Sequence, residues 1–88
     1  MLRQEDLLEN LRDIFKKLDV KVNEQNFRNV GIKVQSGLCK VKGDSIFILD
    51  KHKSIREKNE ILAVHLSKVD LSEFYILPAV RDYIERYR

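Results

Sequence analysis

The sequence has few of the residues that build metal sites and crosslinks. Its 88 residues include one cysteine, Cys39, and two histidines, His52 and His65. A lone cysteine excludes an internal disulfide, and structural zinc sites favour clustered cysteine and histidine pairs at short spacings. A zinc site made of Cys39, His52, His65 and Asp70 has no such spacing. We therefore expect no metal and no other cofactor.

Motifs for catalysis are missing as well. A nucleophilic Cys39 would need an oriented base and an exposed electropositive pocket, whereas its position in mid-strand, on the same face as Val41, predicts burial. Asp44 and Asp50 lie at opposite ends of a predicted strand, about 20 Å apart, too far for paired acids. The glycines form no phosphate-binding loop. We expect that the protein is not an enzyme.

Long apolar runs are also absent. The longest, residues 74–80, is interrupted by Pro78 and is much shorter than the roughly 20 residues of a membrane span. The chain begins MLRQED, which is acidic where a secretory signal is basic and then apolar. Together with the single thiol, these features predict a cytoplasmic protein that does not enter a membrane.

The charged and apolar residues that are present indicate one folded domain. Lys and Arg number 17 and Asp and Glu number 14, which gives a net charge of +3 that says little about partners. Glycine and proline total four, and 43% of the residues are hydrophobic. A chain this short buries only about 60–65% of its unfolded surface, so we expect a single domain over residues 1–88 with one core.

Hydrophobic periodicity predicts a helix, a small sheet and two more helices. Residues 3–18 carry an apolar stripe at helical spacing, and residues 20–22 alternate as a short strand. Residues 30–34 alternate again and fit either an edge strand or an ordered loop. The S-x-x-E capping box at Ser54 predicts a helix over residues 55–69, and Pro78 is expected to open the last helix.

A β-hairpin is the best strand prediction. Residues 38–42 and 45–50 flank Gly43-Asp44, which suits a tight turn with positive φ at 43–44. Residues 46–49 are apolar at every position, so both faces of that strand should be covered. The predicted class is α+β, with an N-terminal helix, a small antiparallel sheet of two to four strands and two C-terminal helices.

Residues 37–84 contain several short motifs at defined spacings. They are Gly37-Leu38-Cys39, Gly43, Leu49-Asp50, Leu62-Ala63, Asp70-Leu71 and Pro78-Ala79-Val80-Arg81. In these motifs the chain resembles a family of small uncharacterised bacterial proteins. The resemblance covers about the last half of the chain and implies no activity, cofactor or ligand.

Surplus apolar surface is the main functional signal. If the helices cover the sheet face that carries Cys39, the other face must bury half of residues 46–49, and exposed apolar patches tend to mark interfaces. We predict association with a second copy, or with another protein, through Leu38, Ile46, Phe47, Ile48, Val64, Phe74 and Tyr75. The alternative is that the first helix or residues 30–34 cover this surface within one chain.

A basic cluster supports a second functional hypothesis. Two lysines share one face of a predicted strand, and three further cations gather where the next strand meets a helix; the set is Lys40, Lys42, Lys51, Lys53 and Arg56. Such a group could hold phosphates of a nucleic acid. Single-strand binding usually adds exposed aromatic platforms, and the hairpin offers only Phe47. A solvated lysine face is the competing interpretation.

Overall fold

The structure is a computed structural model that describes residues 2–25 and 37–88. Its elements are α1 (Gln4–Lys17), β1 (Val20–Gln25), β2 (Gly37–Val41), β3 (Asp44–Asp50), α2 (Ile55–Leu66) and α3 (Pro78–Glu85). The α+β class, with one helix before the sheet and two after it, is confirmed. The predicted strand or loop at residues 30–34 lies outside the described residues.

The three described strands form a mixed sheet in the order β1-β3-β2. The hairpin strands β2 and β3 are antiparallel, as predicted, but β1 runs parallel to β3, with Val20 opposite Ser45. The sheet is therefore not wholly antiparallel. Alternation of apolar and polar residues reports which face a side chain occupies, and it contains no information on strand direction.

Helix α1 follows its sequence pattern closely. Acidic residues lie in its first turn and lysines in its last, which complements the helix dipole. Its apolar stripe is buried at Leu7, Leu11, Ile14 and Phe15. The chain then turns through Asp19, whose φ is 62°, directly into β1. This places α1 beside the strand that follows it.

The hairpin turn lies one residue earlier than predicted. Its central residues are Lys42 and Gly43, with φ of 52° and 86°, and Val41 pairs with Asp44 to close it. Two positive φ values match the type I′ turn, whose twist suits a hairpin. The positive φ expected of Gly43 is confirmed, while the other left-handed position belongs to Lys42 rather than Asp44.

Both C-terminal helices begin where the sequence predicts. The Ser54 hydroxyl accepts a hydrogen bond from the Glu57 backbone N–H at 3.2 Å and donates one to the Glu57 carboxylate, also at 3.2 Å. Pro78 lies at the first position of α3. Helix α2 ends at Leu66, three residues before the predicted end. No helix of the described residues is long and apolar enough to cross a membrane.

The core lies on one face of the sheet. Phe47 and Leu49 point towards the helices and are buried, and the apolar residues on the helices with no exposed surface include Leu11, Phe15, Leu62, Ala63, Leu66 and Val80. Ile46 and Ile48 are half-buried on the opposite face and do not join this core. Within the described residues, helices therefore cover only one face of the 46–49 run.

Strand register also corrects the predicted orientation of the sheet. Leu38 pairs with Phe47 and so shares the helix-covered face, while Cys39 pairs with Ile46 on the other face. This is the reverse of the arrangement in which the helices cover the face that carries Cys39. The shift of the hairpin turn does not account for the difference, because moving a two-residue turn by one position changes the pairing by two residues and leaves every side chain on its own face. The difference lies in which face the helices cover, and strand alternation does not report that.

Candidate functional site

An open groove of about 370 Å³ lies between α2 and the sheet. Gly37 of β2 and Phe47 of β3 form its sheet side. The helix side comes from α2 and the turn after it, through Glu60, Ile61, Val64, His65 and Lys68. Its lining is mainly apolar, with one acidic and one basic residue on the helix side.

The groove is floored by Phe47 of β3 and His65 of α2, and the ring of Phe15 on α1 packs against both. Phe47 is 2% exposed, and its ring centroid is 5.1 Å from those of Phe15 and His65. The His65 imidazole stacks on the Phe15 ring at 5.4 Å. Because α1, β3 and α2 each supply one ring, the floor is fixed by the packing of the core rather than by a loop.

His65 is half-buried in this floor. Burial lowers the pKa of His65, and the positive charge of Lys68 lowers it further. The neutral imidazole is therefore the favoured form between the two phenyl rings. In the part of the chain that the structure describes, no three His, Cys, Asp or Glu side chains come close enough together to hold a metal.

Exposed apolar side chains lie beside the groove. Val64 on α2 is 38% exposed, and Leu38, the register partner of Phe47, is 50% exposed. Glu60 and Val64, four residues apart on α2, and Lys68, in the turn just after the helix, form a ridge along one wall. We call these three residues the α2 ridge.

The predicted interface residues fall in three places. Phe47 and Val64 line the groove, where Phe47 is part of the floor, and Leu38 lies beside Phe47 on the same face of the sheet. Ile46 and Ile48 lie on the opposite face of the sheet, as the register requires. Phe74 and Tyr75 belong to the connection before α3, where Tyr75 is 77% exposed and its carbonyl accepts a hydrogen bond from Lys17 at 3.2 Å.

The predicted basic cluster is divided between the two ends of the sheet. Lys42 lies in the hairpin turn, and Lys40 lies near it, opposite Ser45. The other three residues, Lys51, Lys53 and Arg56, follow the far end of β3. A seven-residue strand places the two groups roughly 20 Å apart. Lys53 is also paired with Glu57 at 3.7 Å.

Sequence reasoning missed a second polar cluster on the helix-covered face. The Glu24 carboxylate contacts Lys58 Nζ of α2 at 2.5 Å and Arg12 Nη1 of α1 at 3.1 Å. The hydrogen bond from Lys58 holds the pKa of the Glu24 carboxyl below its usual range. The signal for this cluster was present, because Glu24 continues the inward alternation of Val20 and Val22 and an inward charge requires a partner.

A buried amide links the same two helices. Asn59 is fully buried, and its Nδ2 donates to the Gln4 carbonyl at 3.0 Å and to the Gln4 side-chain oxygen at 2.9 Å. Asn59 and the Glu24 cluster both hold α2 against α1. The wall of the groove that α2 forms is therefore tied to α1 by polar contacts as well as by the apolar core.

Comparison of the chain with protein-family models, with curated proteins and with solved structures finds no match. The chemistry of the groove must therefore be interpreted from its own residues.

Proposed function

We propose that this chain is a non-enzymatic, cytoplasmic protein-association module that works as a homodimer, with the groove between α2 and the sheet as its contact surface. The observation that supports the proposal is the pair of exposed apolar residues, Leu38 and Val64, beside a groove floored by Phe47. Apolar side chains grouped around a groove gain free energy when a partner removes them from water.

A second copy is the partner that this surface suits best. Symmetric dimers are the commonest oligomers, and their interfaces must be complementary to themselves. The groove supplies a concave part and the neighbouring Val64 a projecting part, so one surface carries both halves. Cys39 is a free thiol, which suits the reducing conditions of the cytoplasm.

Molar mass from light scattering at low and high salt tests the proposal. We expect twice the 10.4 kDa of the chain under both conditions, because salt does not screen apolar burial. Val64→Asp should give a monomer. Leu77→Asp is the matched control, since Leu77 is 39% exposed against 38% for Val64 and does not line the groove, and this variant should remain dimeric. A monomeric wild-type chain would refute the proposal.

The nucleic-acid hypothesis is separated by the same measurement with an added single-stranded oligonucleotide. Phosphate contacts weaken as salt rises, because fewer counterions are released on binding. We expect no mass increase beyond the dimer at either salt concentration. An increase at low salt that disappears at high salt would favour a nucleic-acid-binding module instead.

A further inference from the structure

We infer that two copies of this chain meet across a two-fold axis at Val64, with their α2 helices antiparallel and Glu60 of each copy opposite Lys68 of the partner subunit. The inference rests on the proposed homodimer and specifies its geometry. It follows from the order of charge, apolar residue and opposite charge along the α2 ridge.

The two charged residues of the ridge are available for a partner. Glu60 and Lys68 are exposed, and each is four residues from Val64. Glu60 and Val64 lie on the same face of α2, Lys68 follows in the turn just after the helix, and all three line the groove. Among the described residues, neither Glu60 nor Lys68 takes part in an ion pair.

A two-fold axis makes the charges of the α2 ridge complementary to those of the same ridge in a second copy. In an antiparallel helix pair centred on Val64, a residue four positions before the centre meets the residue four positions after it in the other helix. Glu60 therefore meets Lys68 twice, once on each side of the axis. A parallel arrangement would bring Glu60 against Glu60 and Lys68 against Lys68, and like charges opposed to one another disfavour that orientation.

The apolar groove and the charges have different roles in this arrangement. Val64 projects beside the groove of its own chain, so antiparallel ridges bring the two Val64 side chains into contact at the axis, where each also covers the rim of the groove of the partner subunit. Exposed ion pairs contribute little affinity. The apolar contact therefore provides most of the binding free energy, and the two ion pairs select the orientation.

Charge reversal tests the orientation. Glu60→Lys and Lys68→Glu each place like charges opposite one another at both ends of the interface, so each variant should dimerise about tenfold more weakly at low salt. An equimolar mixture of the two variants should form a heterodimer of wild-type affinity, because every ridge charge again faces its opposite. The chain that carries both substitutions should also recover. Glu9→Lys makes the same charge change on α1 and should have no effect.

A crosslinking experiment tests the axis independently. In a Cys39→Ser background, Val64→Cys should form an intermolecular disulfide under mild oxidation, because the axis brings the two thiols together. Arg56→Cys should not, because Arg56 is eight residues from the axis, about 12 Å along α2, and an antiparallel pair holds its two copies far apart.

The outcomes distinguish this inference from the proposed function. A wild-type chain that is monomeric refutes the homodimer itself. A wild-type dimer whose affinity is indifferent to the charge reversals, or whose Val64→Cys variant stays uncrosslinked, refutes the antiparallel geometry and leaves the homodimer standing.

Discussion

His65 is the residue at which the core and the groove meet. Its ring packs against Phe15 and Phe47, and the same ring lines the groove. A neutral imidazole fits between two phenyl rings, whereas a protonated one carries charge into a partly desolvated position near Lys68. Glu60 also lines the groove and offers a compensating charge, but burial and Lys68 determine the direction of the shift.

The lowered pKa of His65 predicts a loss of stability in mild acid. Because the folded chain binds this proton less tightly than the unfolded chain, whose value is near 6.5, stability present above pH 6.5 falls as the pH decreases through the folded pKa. His65→Gln should remove this part of the decline. Urea unfolding between about pH 7.5 and about pH 5.5 measures it. His52→Gln, at an exposed histidine, should keep the wild-type decline; equal declines in both variants would contradict the assignment.

Phe47 tests the identity of the buried face. Phe47→Ala removes a ring that is 2% exposed and contacts two other aromatic rings, so the free energy of unfolding should fall by roughly 3–5 kcal/mol. This is a large share of the stability of a small domain. Ile46→Ala, next to it on the half-buried face, should cost clearly less. Comparable losses in the two variants would show that both faces of β3 are equally buried.

At the scale of elements, local signals predicted the starts of helices better than their ends. The capping serine and Pro78 act within one turn, so each could be identified from neighbouring residues alone. Val69 continues the apolar period of α2, yet the helix ends at Leu66. There the Ser67 hydroxyl donates to the Val64 carbonyl at 2.6 Å and the Lys68 N–H bonds to the His65 carbonyl. The spacing of apolar residues contains no information on these hydrogen bonds, so it could not predict where α2 ends.

Strand pairing could be predicted only where a turn enforces it. The hairpin followed from Gly43, because a two-residue loop leaves antiparallel pairing as the available geometry. The parallel pairing of β1 with β3 joins residues far apart in the chain, and no local pattern encodes that contact.

The hairpin turn predicts a stabilising substitution. Lys42 has a φ of 52°, a left-handed conformation that is unfavourable for residues other than glycine, asparagine and aspartate. Lys42→Asn should therefore raise the free energy of unfolding, by up to about 1 kcal/mol. Lys40→Asn, in the middle of β2, should lower it instead, because asparagine is disfavoured in strands. Thermal unfolding of both variants decides between a turn at 42–43, as described, and one at 43–44.

At the scale of the whole molecule, the sequence predicted some residues of the candidate site but did not predict the groove around which they lie. Leu38 and Val64 were recognised as surplus apolar residues from their positions within single elements. That both lie near one groove depends on the register that places Leu38 beside Phe47 on the helix-covered face, and on the packing of α2 over β3. The prediction that the basic residues form one cluster was wrong. Lys40 and Lys42 are near Lys51, Lys53 and Arg56 in the sequence, but the two groups lie at opposite ends of β3.

The Glu24 cluster joins β1 to α1 and α2, so a substitution at Glu24 tests how much these ion pairs contribute to stability. Glu24→Gln keeps the shape of the side chain but leaves Lys58, whose side chain is 15% exposed, without its counter-charge. Hydrogen bonds to charged groups contribute roughly 1.5–3 kcal/mol, and partial exposure lets water replace some of that, so we expect a loss of about 1–2 kcal/mol at neutral pH. Glu85→Gln, which breaks the exposed pair with Arg88, should change stability by less than about 0.5 kcal/mol.

The pH dependence of that loss identifies its cause. The folded pKa of Glu24 lies below its ordinary value of 4.5, so the stability that its charge contributes is present above pH 4.5 and disappears as the pH falls through the folded pKa. Wild type and Glu24→Gln should therefore converge in acid, which urea unfolding over that range would show. A difference that persists unchanged would mean that the variant disturbs packing rather than charge, and the positioning of α2 over the sheet would then depend on Asn59 and the apolar core alone.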